Sequence, residues 1–268
     1  NYNSYVISDY NLSFQNTNDD IAYGTELEIF DDIEPCINFN YGYISNNYYL
    51  DINLNLSISL WFKTDSYAET VSYNSPLIKI NVWNISLSTT GILNLITPTE
   101  IYQYKKKNLS DNQWHHLVIV KDISKESNNL SFYIDNINVT NDITKNTTIS
   151  QNSLTYQIGS MYWVGKLKNV RVYNTSLSET NIISLYREVF SIIPSETNLL
   201  IDYNFNAGNG TVCENNVNNT DGTTYNASNY DGKIYNQTTD QESNNNWILG
   251  NNGSCVDLTN SYIKISQN

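Results

Sequence analysis

The stretch LSDNQWHHLVIVKD, residues 109–122, decides how this chain reads. From Trp114 onward apolar residues occupy both parities of an extended chain. Trp114, His116, Val118 and Val120 share one side, and His115, Leu117 and Ile119 share the other. A strand that is apolar on both sides is covered on both sides, and so is central in a layered β structure. His115 and His116 resemble a metal or catalytic pair only on paper. Consecutive strand residues point to opposite faces, so the two rings cannot grip one ion or substrate. Both are expected to be hydrogen-bonded structural histidines.

Outward from this strand, period-2 alternation recurs: NLSISLWFK (55–63), PLIKINVWNISLS (76–88), LSFYIDNINVT (130–140), LTYQIGS (154–160) and KLKNVRVYN (166–174). In 55–63, Ile58, Leu60 and Phe62 fall on one face, and Ser57, Ser59 and Trp61 on the other. Asp135 and Asn136 sit between two alternating runs, and both residue types tolerate positive φ, so a tight hairpin is predicted there. Only SLSETNIISLYREVF (176–190) reads as helical. Ser178 is placed to cap it, and Ile182, Leu185, Tyr186 and Val189 form its apolar stripe. Many short strands with turn signals predict an antiparallel sandwich.

The composition narrows the function. The chain has 268 residues, 40% of them hydrophobic and 13% aromatic, which is ample for a core. A net charge of -13 repels phosphate backbones, so nucleic acid is excluded as a partner. Lys105 to Lys107 read as a solvated loop. No segment approaches the roughly 20 apolar residues of a membrane-spanning helix. The first residue is Asn1, not Met, which reads as a processed protein or a piece of a longer one. The three cysteines, Cys36, Cys213 and Cys255, form no CxxC, and with two histidines they assemble no zinc site.

Four segments in order carry a family resemblance: YISNNYYLDINLNLSISLWFKTD, LSDNQWHHLVIVKD, LSFYIDNINVT and LTYQIGSMYWVGKLKNVRVYNTSLSETNIISLY. Together they resemble the laminin G-like, concanavalin A-like jelly-roll family over about residues 5–190. The resemblance implies an all-β, antiparallel two-sheet jelly-roll sandwich. The family opens on a strand ending Asp-Tyr-x-Phe. VISDYNLSF (6–14) fits that pattern, and so does LLIDYNFNAGNGT (199–211). The expected organisation is therefore a whole sandwich over residues 1–190, a linker over 191–197, and the first part of a second sandwich over 198–268. Such a fragment is marginal alone. Its apolar residues, among them Leu200, Tyr203, Phe205, Val256 and Leu258, need cover. That cover comes from a longer array, from the chain's own first sandwich, or from a neighbouring chain joined head to tail. Cys213 and Cys255 are candidates for a disulfide within the fragment, which favours an oxidising location.

Thirteen Asn-x-Ser/Thr acceptors are present: Asn11, Asn55, Asn84, Asn108, Asn129, Asn138, Asn146, Asn174, Asn209, Asn218, Asn226, Asn236 and Asn252. The number is modestly above what an Asn-, Ser- and Thr-rich chain produces by chance. In a secreted protein many would carry N-glycans. Asn55, Asn129 and Asn174 are expected at strand edges or turns, and Asn209, Asn218, Asn226 and Asn236 in a long polar loop. Relatives of this fold bind sugars or proteins at rim loops, sometimes through calcium. Asp65, Asp111 and Asp122 are candidate calcium ligands, although Lys168-Asn169 stands where the family is often acidic. No other cofactor is implied. Tyr67, Tyr73, Tyr102, Tyr104, Tyr162 and Trp163 are candidate sugar-stacking aromatics. Hydrolases of this fold need carboxylates paired on one strand. ELEIFDDIE (26–34) has the letters but not the spacing, so an enzyme is not expected. The expected function is an extracellular, glycosylated structural or adhesion module that self-associates or packs on neighbouring repeats, with a filament unit as one form of that assembly. The alternative is a carbohydrate-binding lectin-like domain of a larger secreted protein.

Overall fold

The alternation of Leu56–Lys63 (β5) becomes a buried stripe: Ile58, Leu60 and Phe62 are fully enclosed in the main core. The computed structural model describes residues 53–64, 75–126, 129–147, 155–159, 163–187, 198–205 and 215–217. It also describes strands at 14–15, 21–22, 36–40, 42–46, 212–213, 232–236, 241–242 and 247–248.

Two antiparallel sheets face each other. The smaller runs in the order β12 (Ile137–Asn138), β11 (Leu130–Ile134), β10 (His115–Lys121), β5, β15 (Val164–Tyr173), β3 (Cys36–Asn40) and β20 (Trp247–Ile248), with β16 (Leu199–Tyr203) also paired to β15. The larger runs β13 (Ile143–Thr147), β9 (Glu100–Tyr104), β8 (Leu93–Ile96), β7 (Trp83–Leu87), β6 (Ser75–Asn81), β14 (Thr155–Gly159), β4 (Gly42–Asn46), β18 (Gly232–Asn236) and β17 (Val212–Cys213). A further strand, β19 (Gln241–Glu242), lies on β18, and β1 (Phe14–Gln15) pairs with β2 (Ile21–Ala22) apart from both sheets. One core joins the sheets. It takes Leu117 and Ile119 from β10, Ile78 and Ile80 from β6, Trp83 and Ile85 from β7, and Leu93 and Leu95 from β8.

Strand β10 is covered on both faces, as its sequence predicts. Leu117 and Ile119 enter the main core, while Val118 and Val120 join a second cluster on the sheet's outer side. Helix α1 (Glu179–Tyr186) supplies Ile182 and Leu185 to that cluster. Its cap is Ser178, whose hydroxyl accepts from the Asn181 N–H while the Asn181 side chain reaches back to the Ser178 N–H. Arg187 follows its last turn, and residues 188–190 of the predicted helix lie outside the described residues. The Ser57 hydroxyl pins the approach to it, donating to the Thr175 carbonyl and accepting from the Leu177 N–H.

The Asp135-Asn136 hairpin forms as predicted, with φ of 51° and 64°. The run 76–88 does not form one strand. It folds into β6 and β7, paired at Ile80 and Trp83. Alternation continues through both arms and no Gly or Pro marks the turn, so the sequence hides it. Strand β16, predicted to open a second sandwich, hydrogen-bonds to β15 and places Ile201, Tyr203 and Phe205 in the main core. For these residues the cover comes from the chain's own sandwich. Val256 and Leu258 lie outside the described residues.

An edge cavity and two side-chain networks

At one edge the two sheets part, and a cavity of about 420 Å³ opens between β9 and β13 on one side and β11 with the segment before it on the other. Glu100, Tyr102, Glu126, Asn129, Phe132 and Lys145 line it, with Leu130, Thr140, Asn141 and Ile143. Register builds the first wall: Lys145 on β13 lies directly opposite Tyr102 on β9. Its ammonium stands 2.5 Å from a Glu100 oxygen and 5.5 Å from the Tyr102 ring centre. The Tyr102 hydroxyl donates to the other Glu100 oxygen. The Lys145 and Tyr102 hydrogen bonds hold Glu100 below the usual carboxylate range. Burial, then Glu100, pushes the Tyr102 phenol upward, so it remains a donor. The floor is apolar: the Phe132 ring is 5.9 Å from that of Tyr102.

A second network surrounds His115. Its Nδ1 is 2.8 Å from Asp135 Oδ2 and its Nε2 is 2.9 Å from Asp111 Oδ1. Ionised carboxylates only accept, so both ring nitrogens donate and the ring is an imidazolium. Burial pulls the His115 pKa down, but the hydrogen bonds and charges of Asp135 and Asp111 outweigh it and leave the value raised. Lys107 lies 3.7 Å from Asp111 and 3.9 Å from Asp135. His116 faces the other way, as expected. It shares a 2.9 Å hydrogen bond with the Ser59 hydroxyl, and its ring stacks 4.8 Å from Trp61. Burial lowers its pKa to about 3.

Among the described residues no group of His, Cys, Asp and Glu is arranged to hold a metal ion. Asp111, a candidate calcium ligand, meets His115 and Lys107. Asp122 accepts from the Ser124 N–H and hydroxyl. Asp65, the third candidate, lies outside the described residues.

Of the predicted stacking aromatics, Tyr102 lines the cavity. Tyr104 and Trp163 are instead buried in the core, because Tyr104 shares the inward parity of β9 and Trp163 packs on Phe62. Tyr67, Tyr73 and Tyr162 lie outside the described residues. Among the glycosylation acceptors, Asn108, Asn138, Asn146 and Asn174 are exposed, and Asn55 and Asn129 are half-buried. Asn55 Oδ1 accepts from the Ile123 N–H, and Asn129 stands on the cavity wall. Asn84 is half-buried within β7, its Oδ1 enclosed without a partner. Asn236 ends strand β18 rather than lying in a loop. Asn11, Asn209, Asn218, Asn226, Asn252 and Cys255 lie outside the described residues, and Cys213 belongs to β17.

Sequence reasoning missed Glu100 and Lys145 because β9 and β13 carry no clean alternation, and Glu126, Thr140 and Asn141 because they lie in connections between strands. It also missed the buried ion pair of Arg171 Nε with Asp202 Oδ1, at 2.9 Å. The signal was present in both partner motifs, VRVYN and IDYN.

Fold and cavity define a jelly-roll domain with a polar, aromatic-floored opening at its edge. The chain belongs to the concanavalin A-like lectin/glucanases superfamily: residues 38–183, more than half of it, match the laminin G family described by that name. No curated protein matches it. Among solved structures it is similar to a Bacteroides ovatus protein assigned to carbohydrate binding, at 14% identity and a TM-score of 0.53, over 75% of this chain and 57% of that one. It is also similar to the binding domain of Paraclostridial mosquitocidal protein 1 (15% identity, 65% and 42% covered, TM-score 0.37). A third is domain 4 of the GH43 extracellular arabinanase AbnA of Geobacillus stearothermophilus, with arabinotriose (19% identity, 49% and 66%, TM-score 0.34). The chain thus spans little more than half of the first of these. At such identities the shared property is the fold.

Proposed function

We propose that this domain binds carbohydrate without catalysis, at the edge cavity, as part of an extracellular glycoprotein with an adhesive role. The cavity lining carries the reading. Sugar hydroxyls both donate and accept, and the cavity offers carboxylates at Glu100 and Glu126, amides at Asn129 and Asn141, and a hydroxyl at Thr140, beside an aromatic ring at Tyr102. Membership of a superfamily described by its lectins and glucanases supports sugar as the ligand. A glycosidase keeps one carboxyl protonated as its acid. Lys145 and the Tyr102 hydroxyl already engage the two Glu100 oxygens, which supports a binding role for it over a catalytic one. The exposed acceptors Asn108, Asn138, Asn146 and Asn174 support glycosylation in a secreted setting.

A glycan array with and without EDTA tests the reading. The expected outcome is a defined set of sugars, unaffected by EDTA, whose binding drops at least roughly tenfold in Tyr102→Ala and in Glu126→Gln, the scale of one lost contact of about 1.4 kcal/mol. An array without hits, or hits indifferent to both substitutions, sinks it. Intact mass before and after enzymatic removal of N-glycans reads the occupied acceptors.

A further inference from the structure

The charges around the edge cavity come in pairs, with one exception. On the wall formed by β9 and β13, Glu100 is held by Lys145. In the segment before β11, Lys125 lies 3.8 Å from Asp122. Next to Asn141 on the lining, Asp142 lies 3.7 Å from Lys106. Glu126 is different. It lines the cavity from the wall opposite Lys145, it is exposed, and among the described residues it makes no ion pair. The lining thus sets two carboxylates, Glu100 and Glu126, against one ammonium, Lys145, which leaves one negative charge at the mouth. The chain's net charge of -13 adds a field of the same sign.

We infer that the cavity selects amino sugars, hexosamines whose nitrogen is an unacetylated ammonium set against Glu126. This rests on the carbohydrate reading above and names the class of sugar the site takes. The apolar floor at Phe132 and Leu130 suits the C–H face of any sugar ring, and Asn129, Asn141 and Thr140 suit its hydroxyls. Those groups do not tell a charged sugar from a neutral one. Glu126 does. A ligand ammonium gives it the counter-charge that the other three carboxylates already have, through a charge-assisted hydrogen bond. N-acetylation of the sugar removes that charge. A sugar acid meets repulsion from Glu126 and from the chain's own field. Lys145 offers such an acid little, because Glu100 already neutralises it.

Titration calorimetry tests the inference on unglycosylated protein, comparing glucosamine oligomers with the same oligomers N-acetylated. The buffer is of low ionic strength at about pH 6, below the titration of an α-amino-like nitrogen. The free amine form is expected to bind at least about fivefold tighter, the scale of one exposed ion pair, and the gap is expected to close as added salt screens it. Glu126→Gln keeps the shape of the wall and is expected to bring the two forms within about twofold. Asn129→Asp adds a carboxylate to the same wall and is expected to widen the gap. Equal binding of the two forms, or a preference that Glu126→Gln leaves intact, overturns the inference; the lectin reading survives if other sugars bind through Tyr102. A lysine tetrapeptide that binds as tightly as the glucosamine oligomer also overturns it, because the mouth would then read charge without the sugar ring. If no sugar of any kind binds, the carbohydrate reading fails and the inference falls with it.

Discussion

At the scale of single residues, the pair of histidines shows what opposite faces of one strand do to identical side chains. His115 is a cation held by two carboxylates, and His116 is neutral among Trp61, Tyr186 and Ser59. Their effects on stability have opposite signs. His115 titrates above its unfolded value of about 6.5. Its contribution is full below that pH and is lost as pH rises through the raised folded value. His116 titrates at about 3, so its contribution is full above about pH 6.5 and is lost as pH falls toward 3. Chemical denaturation followed against pH is expected to show both slopes. His115→Gln removes the alkaline one and His116→Gln the acidic one; a profile unchanged by both would refute the assignment. The opposed faces were legible from parity alone. The carboxylates were not, because Asp135 reaches His115 through a hairpin whose register the sequence does not state.

At the scale of elements, one residue reverses a strand. Lys168 lies opposite Trp61 and Arg171 opposite Ser59, so β15 uses one residue more than β5 between them. Asn169 takes up the excess at φ 49°. Before it Leu167 points into the core; after it Val170 and Val172 do. Without the bulge, Asn169 and Arg171 would occupy those inward positions. Asn tolerates this left-handed backbone, whereas β-branched residues are strongly disfavoured there. Asn169→Val is expected to cost about 1–2 kcal/mol in unfolding free energy, and Asn169→Gly close to nothing, as read by denaturant titration. Equal losses in both variants would mean that the side chain, not the backbone angle, matters. The strand itself was plain in the sequence, but its change of phase was not: KLKNVRVYN alternates convincingly in either register.

At the scale of the whole molecule, the jelly roll was legible because the β10 and β15 motifs are specific and correctly spaced. The pairing of β16 with β15 was not legible, since IDYN reads the same whether it begins a new sandwich or joins the sheet of the first. The edge cavity was invisible for a related reason: its walls come from β9, β11 and β13, far apart in sequence and brought together only by sheet order. Asn129 belongs to that lip and is also a glycosylation acceptor. On the proposed reading of the cavity, the organism that manufactures the chain would set its affinity. From a bacterial host the mouth would be bare. From a eukaryotic secretory route that modifies Asn129, a tethered sugar would sit at the entrance at an effective millimolar concentration and compete with every free one. Isothermal titration of the two preparations against the same oligosaccharide is expected to show weaker binding for the modified form, and Asn129→Gln is expected to make them equal.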